Sequence, residues 1–140
     1  MNVLVLGGGG YIGWPVSLYL SKKGHKIGIL DNLSRRTWDS KLGIESLTPL
    51  SSIAQRIRKW QRLTGKTIEF FNADLTDGDS LKNVVSQFQP DAILHLGQQR
   101  SAPFSMIDNA HAVFTQTNNV VGTLNVLFSI YEHAPPVPSY

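Results

Sequence analysis

Apolar residues along this chain fall into short continuous runs that alternate with stretches of helical period. Residues 3–6 form an unbroken apolar run that stops in four glycines, 7–10, and reads as a buried strand. Ile12, Val16, Tyr19 and Leu20 then recur at helical spacing, so the pattern predicts a helix over 11–23, with Pro15 near its start and Gly24 just past its end. Residues 26–30 predict a second strand, stopped by Asp31 and Asn32; 67–71 and 91–95 predict a third and a fourth. A short helix is expected over 80–88. A long one is expected over 108–133, with Ala110, Phe114, Val121, Leu124, Phe128 and Tyr131 on one face. Strands that alternate with helices imply an α/β fold, a doubly wound parallel sheet. Right-handed crossovers give the strand order 3-2-1-4.

One stretch exceeds a minimal unit. Residues 31–66 separate strands two and three, where about a dozen suffice for a crossover. Thr48 as N-cap, Pro49 behind it, and Ile53, Ile57, Trp60 and Leu63 at helical spacing predict an inserted helix over 49–63, ended by Gly65. Residues 33–47 then read as an extra loop, and the Pro-rich tail 134–140 as a loop or frayed end.

Composition narrows the classes. The chain has 140 residues, 41% hydrophobic and 16% charged, enough apolar material for one core and too little charge for disorder. It has no cysteine, which excludes a disulfide framework, a thiolate metal site and a cysteine nucleophile. The net charge is only +3, and Arg56, Arg58, Lys59 and Arg62 crowd one helix, read as its solvated face, so no nucleic-acid partner is implied. No apolar stretch is long enough to span a membrane, and the N-terminus is unlike a signal peptide, so the expectation is a cytoplasmic protein.

The candidate chemistry begins at Gly7-Gly8-Gly9-Gly10-Tyr11-Ile12-Gly13, a strand–loop–helix junction with Gly7, Gly10 and Gly13 in a GxxGxxG spacing. Such a junction gives a tight turn, close backbone approach to a pyrophosphate, and helix N–H groups aimed at it. Asp31 at the end of the second strand is placed to accept bonds from both ribose hydroxyls, and it favours NAD over NADP because it repels a 2′-phosphate; Arg35 and Arg36 favour the reverse. His95 reads as a packed strand residue. His111 and His133 lie on the long helix without carboxylates at ligand spacing, so no metal is expected.

GGGGYIG, ILDNLSRR, NADL, ILHLGQQRSAP and NNVVGTLNVL stand in the order and spacing of the extended short-chain dehydrogenase/reductase superfamily, in its nucleotide-sugar epimerase and dehydratase group. The insertion, with QQRSAPFSMID and VFTQTNNVVGTLNVLF, resembles the UDP-sulfoquinovose synthase family across nearly the whole chain; Gln98 departs from it, replacing the acid of EQRSAP. The resemblance implies an NAD cofactor and the conversion of UDP-glucose and sulfite to UDP-sulfoquinovose through a 4-keto intermediate. It implies that Gly7, Gly10, Tyr11, Ile12 and Gly13 cradle the pyrophosphate and that Asp31 and Asn32 hold the adenosine ribose. Arg35 or Arg36 would lie near the phosphate or adenine, Asp74 and Leu75, at the end of the third strand, beside the adenine, and Leu96, Gly97 and Gln98 on the nicotinamide side. Arg100 and Ser101 would face the substrate, and Asn118 would project from the long helix toward the loop after strand four. Asp74 has an alternative as a turn initiator, Arg100 as a partner of Asp108, and Asn118 as a structural amide.

That superfamily carries its catalytic Tyr-x-x-x-Lys on the helix after a fifth strand. The chain has Tyr19 and Lys23 at that spacing, but on the first helix, where they read as packing and surface residues, so no catalytic residue is assigned. The 140 residues are therefore expected to be one NAD-binding Rossmann-like domain, 1–140, truncated before the catalytic strand. The resemblance also implies a homodimer through the 108–133 helix. In the isolated piece, strand four is expected to be an exposed apolar edge. The alternatives are another NAD-dependent nucleotide-sugar epimerase or dehydratase, and a catalytically inert NAD-binding module.

Overall fold

The computed structural model describes residues 1–44 and 46–133; the tail expected over 134–140 lies outside them. The chain divides into two compact units: residues 1–72 with 90–97, and residues 73–89 with 98–140.

The first unit is the sheet. β1 (Asn2–Leu6), β2 (Lys26–Leu30), β3 (Ile68–Phe71) and β4 (Ala92–His95) are all parallel, in the order β3-β2-β1-β4. This is the Rossmann-like α/β order expected. Leu6 is registered with Leu30 and with His95, and Leu30 with Phe71, so the strands reach their carboxyl ends together. That edge is where open α/β sheets bind ligands. The two central strands, β1 and β2, bury both faces, as parallel strands inside a sheet do, while the edge strands β3 and β4 are half-buried. Val3, Val5, Ile27, Ile29 and Ile68 form one cluster, while Leu4, Leu6 and Leu30 on the opposite face are also buried.

α1 (Gly13–Lys22) starts two residues later than expected, and its buried stripe is Gly13, Ser17 and Ser21 rather than the larger apolar positions. Ser17 donates to the Gly13 carbonyl (2.7 Å), and Ser21 accepts from Trp60 Nε1 (3.0 Å). Small residues let the helix approach closely, and Trp14, Leu18 and Leu20 fill its flanks against the cluster.

The insertion holds two helices instead of a loop and one helix. α2 (Ser34–Lys41) occupies much of the expected loop. Asp31 and Asn32 start it, accepting from the backbone N–H of Leu33 (2.7 Å) and Ser34 (3.0 Å). α3 (Ile53–Thr64) begins past Pro49, because Ser52 and Gln55 make a capping box that Thr48 does not. Ile53, Ile57 and Trp60 join the cluster, but Leu63 is exposed.

The second unit is helical. α4 (Gly78–Phe88), capped by Asp77, buries Leu81, Val84, Val85 and Phe88. α5 (Ala102–Ser105) is a single turn. The long helix is α6 (Asn109–Gln116), capped by Asp108, then a π-helical turn (Thr117–Val121), then α7 (Gly122–His133). Its buried positions are Thr115, Asn118, Gly122, Val126 and Ser129. Of the apolar stripe expected on one face of this helix, Val121, Leu124, Phe128 and Tyr131 all face solvent. The π turn adds a residue to one turn and so rotates the face that packs. Lys82 of α4 pairs with Glu132 of α7 (2.9 Å).

Candidate cofactor-binding site

The glycine loop leaves β1 at the carboxyl edge. Gly7 donates to the Leu30 carbonyl (2.8 Å), and Gly10 closes a turn onto the Gly7 carbonyl (3.1 Å). Gly7 has φ +76°, and a Cβ there would lie 2.6 Å from the Leu96 carbonyl oxygen, so the segment after β4 presses directly on the loop. A Cβ on Gly13 would meet the Gly7 carbonyl and, at 2.8 Å, the Gly8 Cα. No side chain caps α1 and no acid occupies its first turn, so its leading N–H groups and positive dipole end face the loop. Tyr11 is 87% exposed over this turn, and Ile12 is exposed beside it.

Asp31 lies beside the loop as expected. Its Oδ2 accepts from Gly9 N–H (2.9 Å) and its Oδ1 from Leu33 N–H (2.7 Å), leaving lone pairs on both oxygens. Leu33 is held in the left-handed region (φ 57°) by this turn. Arg35 pairs with Asp39 along α2 (3.7 Å). Arg36 is half-buried, and its Nη2 has no hydrogen-bond partner among the described residues.

Arg56 was missed. Expected on a solvated face, it donates to the Gly9 carbonyl (3.1 Å) and stacks its guanidinium 4.6 Å from the Trp14 ring centroid. Burial, then the charge of Arg36, holds its pKa below the ordinary arginine value, against the opposing pull of Asp31. The signal was in the spacing: 53, 56, 57 and 60 are i, i+3, i+4 and i+7 of one helical face. Arg58, Lys59 and Arg62 are exposed, as expected.

Leu96 continues the sheet by donating to the Leu6 carbonyl (2.9 Å). At the end of β4, burial holds the His95 pKa below the ordinary histidine value. Tyr19 is 61% exposed with Lys23 5.5 Å from its ring centroid, a surface pair on α1.

The remaining predicted residues lie in the second unit. Asp74 stands three residues beyond β3, not at its end, and initiates a turn by accepting from Thr76 N–H (2.8 Å) and Thr76 Oγ1 (2.7 Å). Leu75 is buried, its carbonyl accepting from Asn125 (2.9 Å). Gln98 donates to Thr123 Oγ1 (3.3 Å). Arg100 is exposed and forms no ion pair among the described residues; Ser101 caps α5. Asp108 is engaged by His111, at both its backbone N–H (2.9 Å) and Nδ1 (2.6 Å), so that histidine does have a carboxylate beside it. These bonds hold the Asp108 pKa below the ordinary carboxylate value. Asn119 reaches the loop after β4: its Oδ1 accepts from Gln99 N–H and its Nδ2 donates to the Gln99 carbonyl, both at 2.8 Å. Asn118 is buried in the π turn and supports Asn119 (3.0 Å). Among the described residues, no group of three or more metal-ligating side chains is assembled, and no helix is long and apolar enough to cross a membrane.

A family model described as the NAD dependent epimerase/dehydratase family matches residues 3–137. The chloroplastic UDP-sulfoquinovose synthase of Spinacia oleracea is 55% identical over 131 residues, 94% of this chain and 27% of that protein. UDP-sulfoquinovose synthase of Sulfolobus acidocaldarius is 42% identical over 137 residues, 98% of this chain and 35% of that one. The chain thus spans about a third or less of the curated relatives it matches. Among solved structures, UDP-glucose-4-epimerase from Stenotrophomonas maltophila, with bound NAD and formylated UDP-arabinopyranose, matches with TM-score 0.71 and 26% identity, covering 94% of this chain and 34% of that chain. The Bifidobacterium longum UDP-glucose 4-epimerase, in complex with NAD+ and UDP, matches at TM-score 0.74 and 22% identity, covering 95% and 34%, a likeness of fold. With the glycine loop, the terminal Asp31 and the 3-2-1-4 sheet in place, the match over residues 3–137 shows that the chain belongs to the NAD-dependent epimerase/dehydratase family.

Proposed function

We propose that these 140 residues bind the adenosine diphosphate portion of NAD for a UDP-sulfoquinovose synthase, which joins UDP-glucose and sulfite with release of water. The observation that carries the binding role is the pairing of a loop that admits no Cβ at Gly7 or Gly13 with a strand-end carboxylate, Asp31, in one compact unit. The turn of Gly7, Gly10, Tyr11, Ile12 and Gly13 receives the pyrophosphate at the uncapped start of α1. Asp31 takes the ribose hydroxyls with its remaining lone pairs, with Asn32 beside it holding the turn; Leu96 and Gly97 bound the loop from β4. Bound NAD supplies a hydride acceptor; the residues here bind and orient it. The choice of sugar and sulfite rests on the 55% and 42% identity to the two synthases, against 34% for the UDP-glucose 4-epimerase of Erwinia amylovora. Tyr19 and Lys23 form a surface pair on α1, and no catalytic role is proposed for them.

The exposed apolar side of α7, with Phe128 at 58% and Tyr131 at 78% exposure, supports pairing with a second copy through the 108–133 helix. Calorimetric titration of the chain with NAD tests the binding role: a saturable one-to-one signal lost in Asp31→Ala is expected, and no signal contradicts it.

A further inference from the structure

We propose that Arg56, with Arg36, forms a phosphate-binding site at the edge of the glycine loop, so that the inserted helix α3 is part of the cofactor site. This rests on the dinucleotide-binding reading above. Arg56 is anchored from two sides, Nη2 on the Gly9 carbonyl and the guanidinium plane on Trp14, and it shares its helical face with Ile53 and Ile57, which join the core cluster. Gly9 is consequently held at both ends of its residue, its N–H by Asp31 and its carbonyl by Arg56. What the anchoring leaves over is donor capacity. Arg56 Nε and Arg36 Nη2 are both shielded from water, and neither has a hydrogen-bond partner among the described residues. Shielded, unpaired guanidinium donors are costly, and two like charges that act on one another add to that cost. Asp31, the carboxylate that acts on Arg56 among the described residues, already holds two backbone N–H groups and offsets only one of the two cations. A phosphate group supplies both what the pair lacks in acceptors and what it lacks in negative charge.

Two phosphates of a dinucleotide meet this chemistry: the pyrophosphate that NAD and NADP share, and the 2′-phosphate of NADP alone. Titration of the chain and of Arg56→Met with NAD, NADP and adenosine separates them. Methionine keeps an apolar stem against Trp14 while removing the charge. A roughly 10-fold or greater loss of NAD affinity, with adenosine unchanged, upholds the site and assigns it to the pyrophosphate. A loss confined to NADP upholds it and assigns it to the 2′-phosphate. Equal losses for NAD and adenosine, or no loss for either dinucleotide, overturn it. If Arg56→Met does not fold, Arg36→Met, which breaks no bond to Gly9, is read the same way. Should the unmodified chain bind neither dinucleotide, the underlying reading fails and this inference fails with it; NAD binding that Arg56→Met leaves intact, with NADP unaffected, removes the inference alone.

Discussion

At Gly13 a single added methyl group meets backbone on two sides, the Gly7 carbonyl and the Gly8 Cα, with no flexible side chain to give way. Gly13→Ala is therefore expected to cost about 3 kcal/mol, read as a lower urea midpoint, and to abolish NAD binding. His95 gives a second residue-scale prediction. Burial holds its pKa below the ordinary value, so the unfolded chain binds a proton where the folded chain does not. Stability is then full above about pH 6.5 and falls as the pH drops through that value. His95→Gln is expected to flatten this slope in urea midpoints measured from about pH 8 to pH 5; an unchanged slope contradicts the assignment. Residues whose position follows from strand ends were legible in the sequence: Gly7 and Gly13 lie where a Cβ meets backbone, and Asp31 lies beside the loop. Arg56 was not, because charge on a helix ordinarily marks the solvent face, and only its spacing with Ile53, Ile57 and Trp60 says otherwise.

At the scale of elements, strands were read more closely than helix ends. A continuous apolar run has few alternatives once turn residues bound it, and β2 falls on the expected residues 26–30. Helix starts depend on which of several capping residues wins. Thr48 with Pro49 is a sound N-terminal signal, yet Ser52 takes the role because Gln55 completes a reciprocal box with it: Ser52 Oγ accepts from Gln55 N–H (3.3 Å), and Gln55 Oε1 accepts from Ser52 N–H (3.0 Å). Ser52→Ala is expected to cost about 1 kcal/mol in thermal or urea unfolding, and Thr48→Ala nothing measurable; the reverse order would place the cap at Thr48. The π turn over Thr117–Val121 was not legible, because an apolar period of 3.6 residues carries no mark of one extra residue in a turn; beyond it the helix buries Gly122, Val126 and Ser129 and leaves Leu124, Phe128 and Tyr131 exposed.

For the whole molecule, topology was the most legible level. Parallel strands, right-handed crossovers and a glycine-rich first turn leave few arrangements, and the order β3-β2-β1-β4 is one of them. The consequences of exposed surface are also read at this scale. β4 ends the sheet with Leu94 and Leu96 exposed, and α7 presents Phe128 and Tyr131 to solvent. Self-association is expected, seen as an apparent mass that rises with concentration in light scattering. Phe128→Glu is expected to lower that mass if α7 is the contact, and Leu94→Lys if the β4 edge is; a monomer at every concentration contradicts both.

The loop after β1 and the carboxylate after β2 are proposed to make a dinucleotide site within these 140 residues. Calorimetric titration with NAD tests it most directly. Saturable one-to-one binding is expected, lost in Asp31→Ala while the urea midpoint shows the variant still folded. Absence of binding to the folded, unmodified chain would contradict it.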